Sequence, residues 1–66
     1  MPLERHGVKV KRARQQRGLT QAALAEKAEI HRIYLRQIEA GTKIPSIPTL
    51  MQIAKALGVK AGRLLE

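Results

Sequence analysis

Residues 19–41, LTQAALAEKAEIHRIYLRQIEAG, decide the fold of this chain. Apolar residues recur in this stretch at helical spacing, at Leu24, Ala25 and Ala28 and again at Leu35 and Ile38. Only residues 29–31 separate the two periodic segments. The pattern therefore predicts two short helices joined by one tight turn.

The second of these helices, predicted over residues 32–39, has a face that the first helix does not cover. Two helices joined by about three or four residues cross steeply, which leaves one side of the second helix exposed. That side carries Arg32, Ile33, Arg36 and Gln37. Such side chains suit the reading of base edges in a major groove. The stretch therefore predicts a helix-turn-helix domain that binds double-stranded DNA.

The overall charge agrees with a polyanionic partner. Thirteen Lys and Arg residues stand against five acidic residues, which gives a net charge of +8 and a pI of about 11.0. Each phosphate that such a protein neutralises releases condensed counterions, and this release favours binding to nucleic acid. The alternative is that the basic residues only keep the protein soluble.

Composition also narrows the class of protein. The 66 residues suffice for one domain, and without cysteine neither a disulfide nor a thiolate metal site can form. The apolar runs are too short to cross a bilayer, so we expect a cytoplasmic protein without a membrane contact. Tyr34 is the only aromatic residue, which argues against readers of single strands that stack bases on aromatic rings.

The residues offer no catalytic site. The chain has no Asp and no Cys, and neither His6 nor His31 has a carboxylate at catalytic spacing or further ligands for a metal. We therefore expect no enzyme activity, no metal and no cofactor.

The rest of the chain predicts an all-α, compact five-helix domain over residues 7–66, preceded by a flexible arm over residues 1–6. The helices are expected over residues 7–17, 21–28, 32–39, 47–57 and 61–65. Thr20 and Ser46 can cap two of them, because a side-chain oxygen accepts an unpaired N–H group of the first turn. Residues 43–45 should form an exposed loop. The fourth helix should bury one stripe, made of Ile47, Leu50, Ile53, Ala54 and Leu57.

Nearly the whole chain resembles the Cro-like, lambda-repressor-like (XRE-type) helix-turn-helix family of phage and bacterial regulators. The matching pattern runs in order through Gly18-Leu19-Thr20-Gln21, Leu24-Ala25, Ala28, Ile30, Tyr34-Leu35, Ile38-Glu39, Gly41, Pro45, Thr49-Leu50, Ile53-Ala54 and Ala56-Leu57-Gly58. A match of this length is far more specific than a short motif. It implies a compact helical fold whose third helix enters the major groove, and a transcriptional regulator of the repressor type.

The resemblance also implies roles for individual residues. Arg32, Ile33 and Gln37 occupy positions of base-contacting side chains. Positions that contact the DNA backbone, or flank those that read bases, are occupied by Gln21, His31, Arg36, Thr42 and Lys43. Arg14 and Glu39 match a pair that in this family often forms a salt bridge between the first and third helices.

Two residues depart from the family pattern at the turn. Glu29 stands where the family prefers glycine, and a left-handed backbone at a non-glycine residue costs roughly 1 kcal/mol. His31 replaces the usual Ser or Thr cap, which should weaken the start of the third helix.

The resemblance leaves the assembly and one alternative function open. A single small domain of this kind should be a monomer or a weak homodimer that pairs on a palindromic operator. The alternative is a protein-binding adaptor or antitoxin module, which an exposed apolar patch around Ile33, Ile44 and Ile47 would favour.

Overall fold

The computed structural model describes residues 4–65, with side chains for residues 6–64. The described part forms five helices and no strand: α1 (Glu4–Gln16), α2 (Gln21–Ala28), α3 (Arg32–Ala40), α4 (Ile47–Leu57) and α5 (Ala61–Leu65). The predicted all-α, five-helix fold is confirmed. The predicted start of the first helix at Gly7 is wrong, because α1 already begins at Glu4. The expected arm therefore overlaps α1 at residues 4–6, and its residues 1–3 lie outside the described part.

Local side-chain chemistry sets the helix ends, as predicted. The Thr20 hydroxyl accepts a hydrogen bond from the Ala23 N–H group at 3.0 Å, and the Ser46 hydroxyl accepts one from the Thr49 N–H group at 3.2 Å. Each bond satisfies a donor that the helix leaves unpaired in its first turn. At the other end of α3, Gly41 has a φ of +81°, a conformation that glycine adopts without steric strain.

One hydrophobic core joins all five helices. Its buried side chains are Val10, Leu24, Ala25, Ala28, Leu35, Ile38, Leu50, Ile53, Ala54, Leu57 and Leu64. Helix α1 packs against α3, α4 and α5, while α2 packs against α3 and α4. The helix that carries the candidate reading face is therefore supported by both α1 and α2.

Two expectations about the α3–α4 region are wrong. Ile47 does not belong to the buried stripe of α4, because it stands at the first position of the helix and is 56% exposed. Pro45 is buried, although residues 43–45 were expected to form an exposed loop. Proline has no N–H group, so its burial leaves no backbone donor unpaired.

Among the described residues, no helix combines the length and the apolar character needed to cross a membrane.

Candidate nucleic-acid interface

The turn between α2 and α3 depends on one left-handed residue. Glu29 has φ 59° and ψ 41°, and its N–H group bonds to the carbonyl oxygens of Ala25 and Glu26. It is the only residue other than glycine with a positive φ in the described part of the chain. The left-handed conformation expected at this position is therefore present, and it allows only three residues to separate α2 from α3.

His31 caps the start of α3. Its Nδ1 atom accepts a hydrogen bond from the Ile33 N–H group at 3.1 Å, in the position where a Ser or Thr oxygen usually acts. The sequence predicted that His31 would weaken the start of α3, and the structure shows that its imidazole nevertheless supplies an acceptor nitrogen for this cap bond. The Nε2 atom is then the ring nitrogen available for a contact with DNA.

Helix α3 divides into a buried face and an exposed face. Leu35 and Ile38 are buried in the core, whereas Arg32, Ile33 and Arg36 are exposed and Gln37 is half-buried. Arg32 and Arg36 are four residues apart, and so are Ile33 and Gln37, so the two pairs form adjacent rows along the helix. The side chains that the sequence predicted for DNA contact on this helix thus share one solvent-facing surface.

A carboxylate between three helices fixes the orientation of α3. Glu39 accepts hydrogen bonds from Arg14 Nε at 2.8 Å and Arg14 Nη2 at 3.0 Å, and from Gln21 Nε2 at 3.1 Å. Arg14 Nη1 also donates to the Leu19 carbonyl oxygen at 2.8 Å. The Arg14 and Glu39 side chains are only 11% and 3% exposed. This cluster therefore ties α1, the start of α2 and the end of α3 together.

The same cluster shapes the charge of the exposed face. Glu39 is the only acidic residue of α3, and its charge is matched by Arg14 within the protein. Among the residues whose side chains are described, the exposed cations Arg32 and Arg36 form no ion pair. A polyanion approaching α3 meets positive charge that no carboxylate of the helix offsets.

The loop after α3 is folded back on the end of the helix. The Gln37 carbonyl oxygen accepts hydrogen bonds from the Thr42 N–H group at 3.0 Å, the Thr42 hydroxyl at 3.1 Å and the Lys43 N–H group at 3.3 Å. The Thr42 hydroxyl thus has a structural partner, while the Lys43 side chain is exposed beside it. This geometry holds the Lys43 backbone next to the end of α3.

The sequence did not predict the close approach of α1 to α3 at Gly7. Gly7 is buried, and a β-carbon built on it would lie 2.0 Å from the Ile38 carbonyl oxygen. The sequence placed Gly7 at the start of the first helix, but α1 begins at Glu4, so Gly7 lies inside the helix, where glycine costs about 1 kcal/mol relative to alanine.

The fold and this face define a helix-turn-helix domain, and comparison with known proteins agrees. A family model described as helix-turn-helix (HTH_3) matches residues 10–64. The immunity repressor protein of Bacillus phage phi105 is 42% identical over 59 residues, which cover 89% of this chain and 41% of that protein. Control protein C.BamHI of Bacillus amyloliquefaciens is 38% identical over 61 residues, which cover 91% of this chain and 75% of that protein.

A solved structure gives the same result. The crystal structure of SinR, described as the master regulator for biofilm formation and solved in complex with DNA, superposes with a TM-score of 0.89 at 34% identity. The match covers 92% of this chain and 98% of that one. The chain belongs to the XRE-type helix-turn-helix family of DNA-binding transcriptional regulators. It spans less than half the length of the phage repressor.

Proposed function

We propose that this domain binds a specific double-stranded DNA operator by inserting α3 into the major groove, and that it acts as a repressor-type regulator in the cytoplasm. The observation that carries the proposal is the exposed face of α3, whose Arg32, Ile33 and Arg36 point away from a helix held by Glu39. The crystal structure of SinR in complex with DNA supports DNA binding by this chain.

Three side chains of α3 would read bases. Arg32 is suited to the O6 and N7 atoms of guanine, and Gln37 to the N6 and N7 atoms of adenine. Ile33, which is 53% exposed, could cover a thymine methyl group that would otherwise face water. Each bidentate contact is worth about 1–3 kcal/mol of discrimination against a wrong base.

The backbone contacts would lie on both sides of the reading helix. Glu39 uses one N–H of the Gln21 amide, and the second N–H can donate to a phosphate together with the N-terminus of α2. His31, Arg36, Thr42 and Lys43 would contact the DNA backbone beside α3. These contacts fix the register of the protein on the duplex, whereas the base contacts give its specificity.

The operator should be palindromic and bound by two copies. Dimeric helix-turn-helix proteins place their recognition helices about 34–36 Å apart, one turn of the duplex. We propose that two copies of this domain associate weakly and pair on such a site. Metal, cofactor and catalytic roles form no part of this proposal.

The exposure of three isoleucines favours a second candidate function. Ile33, Ile44 and Ile47 are 53%, 58% and 56% exposed, as a protein-binding adaptor or antitoxin module would need. The DNA-binding regulator and the protein-binding module use the same fold, so measurements of DNA binding have to distinguish them. An adaptor would show weak DNA binding with little dependence on salt.

Selection of bound sequences from random duplex DNA tests the main proposal. We expect enrichment of a palindrome whose half-sites are about 10 base pairs apart from centre to centre. A variant in which Arg32 and Gln37 are both replaced by Ala serves as the control and should lose the consensus. Absence of any enrichment with the unaltered protein would favour the adaptor instead.

A further inference from the structure

A second cationic surface lies away from the reading face, in a groove between α1 and α5. The groove has a volume of about 320 Å³. Four basic side chains line it, Lys9, Arg12, Arg17 and Arg63, and none of its described lining residues is acidic. The DNA contacts proposed above include none of these four residues.

The groove and the contact with α3 occupy opposite sides of α1. Lys9, Arg12 and Gln16 recur at the spacing of one helical stripe and line the groove. Gly7 and Arg14, which contact α3, each lie two residues away from a member of that stripe, a rotation of about 200° around the helix. A partner in the groove would therefore leave α3 accessible.

One of the four cations is already fixed in place. Arg17 Nε donates to the Leu57 carbonyl oxygen at the end of α4, and Arg17 Nη1 donates to the Ala13 carbonyl oxygen at 3.2 Å. The remaining Nη2 atom keeps its donors for an external acceptor. Because the guanidinium is held before a partner arrives, binding loses less side-chain freedom than it would with a mobile arginine.

The floor of the groove is apolar. Ala13 and Val59 are half-buried and Leu64 is buried, and all three belong to the lining. Ligand sites in proteins have volumes of about 300–1,000 Å³, and the groove lies near the lower end of this range. It is therefore large enough for a side chain but not for a DNA duplex. A nucleic-acid backbone would satisfy the cations and leave this floor uncovered.

We infer that the α1–α5 groove is a docking site for an acidic peptide segment of a partner protein, in which Asp or Glu side chains flank a leucine. The carboxylates would pair with Arg12, Arg17 and Arg63, and the leucine would cover Ala13 and Val59. Charge complementarity selects this occupant. A second copy of a chain with net charge +8 would bring further positive charge to the groove.

Fluorescence anisotropy with a short labelled peptide of Asp and Glu that carries leucines tests the inference. The variant replaces Arg12 and Arg63, both exposed, by Gln. Its matched control replaces Lys27 and Lys55, exposed cations outside the groove, by Gln and removes the same charge. We expect the first variant to bind about two- to thirty-fold more weakly than the control, since it loses two exposed ion pairs with the peptide. Thermal unfolding should be the same for both.

Each other outcome of this experiment overturns the inference. Equal loss of peptide affinity in both variants would mean that only net charge matters. Equal affinity for a peptide with serine in place of leucine would mean that the apolar floor is not used. A larger loss of duplex affinity in the groove variant would assign the groove to DNA, and enhanced self-association of that variant in sedimentation would assign it to a second copy. These readouts do not depend on whether α3 recognises a specific operator.

Discussion

Gly7 of α1 lies directly against the carbonyl oxygen of Ile38 in α3, and the two helix backbones meet there without an intervening side chain. A β-carbon on residue 7 would lie 2.0 Å from that oxygen and 3.1 Å from the Glu39 Cα atom. Both neighbouring atoms belong to the backbone, so neither can rotate away. The distance between α1 and the end of the reading helix therefore depends on the absence of a side chain at residue 7.

Gly7→Ala should consequently destabilise the protein, although alanine is the better helix former. The change in helix propensity favours alanine by about 1 kcal/mol, whereas overpacking against rigid neighbours costs about 1–3 kcal/mol. We expect a net loss of up to about 2 kcal/mol in the free energy of unfolding, measured by urea denaturation. Gly62→Ala is the matched control, because a β-carbon there meets nothing within 4 Å. An equal change in the free energy of unfolding in the two variants would contradict the close approach of α1 to α3.

Glu29→Gly should leave the stability unchanged or raise it. Relief of the left-handed conformation at φ 59° favours the folded state by roughly 1 kcal/mol. The greater freedom of glycine in the unfolded chain opposes this by about 0.4–1 kcal/mol. Gly58→Ala is the reverse change at φ +73°, where a β-carbon meets nothing within 4 Å, and should leave the stability unchanged or lower it by up to about 0.6 kcal/mol. A clear drop in Tm for Glu29→Gly would show that the Glu29 side chain stabilises the turn.

The Arg14–Glu39 pair should behave as a coupled unit in a double-mutant cycle. Glu39→Ala leaves the Arg14 guanidinium unpaired at 11% exposure, and we expect a loss of about 2–3 kcal/mol, a large share of the stability of so small a domain. Arg14→Ala should cost a similar amount, and the double variant should lose less than the sum. Arg14→Lys serves as the control, because it keeps the charge but not the bidentate geometry. Strictly additive losses would exclude the coupling.

The sequence predicts most of the helix boundaries because local chemistry determines them. Thr20 and Ser46 cap helices through hydrogen bonds to residues three positions away, and such bonds depend only on neighbouring sequence. His31 shows a limit of predicting caps from residue type. Histidine is not among the preferred N-cap residues, yet the His31 imidazole accepts the hydrogen bond of the cap. The first turn of α4 shows another limit, because Ile47 fits the apolar period but lies where the helix is exposed.

Contacts between distant segments are predicted less well. The partnership of Arg14 with Glu39 was expected only through resemblance to a family, and the third member, Gln21, was expected to contact phosphate rather than Glu39. Nothing in the local sequence shows that Gly7 meets Ile38, because this contact depends on how α1 crosses α3. The exposed face of α3 was predictable because its residues belong to one helix. The contacts that orient α3 were not predictable in this way, because they come from Arg14 of α1 and Gln21 of α2.

Loss of a base-reading side chain should lower specificity more than general affinity. Arg32→Ala and Gln37→Ala should each weaken binding to the preferred duplex by about 1–3 kcal/mol and leave random-sequence binding nearly unchanged. Lys55→Ala removes an exposed charge from α4 and is the control. Titrations against both kinds of duplex at one salt concentration measure the difference. Equal losses on the two duplexes would show that Arg32 and Gln37 do not read bases.

Lys43 should contribute to every duplex equally, because a phosphate contact carries no sequence information. The Gln37 carbonyl oxygen holds the loop beside α3, so the ammonium group of Lys43 can reach the backbone flanking the major groove. Each neutralised phosphate contributes about 0.9 to the slope of log affinity against log salt concentration. Lys43→Ala should therefore make that slope shallower by about one unit on preferred and random duplexes alike. Lys43→Arg should retain the slope, and Thr42→Ala, which removes the hydroxyl bond to Gln37, should weaken binding less than Lys43→Ala. An unchanged slope in Lys43→Ala would place this side chain away from the DNA.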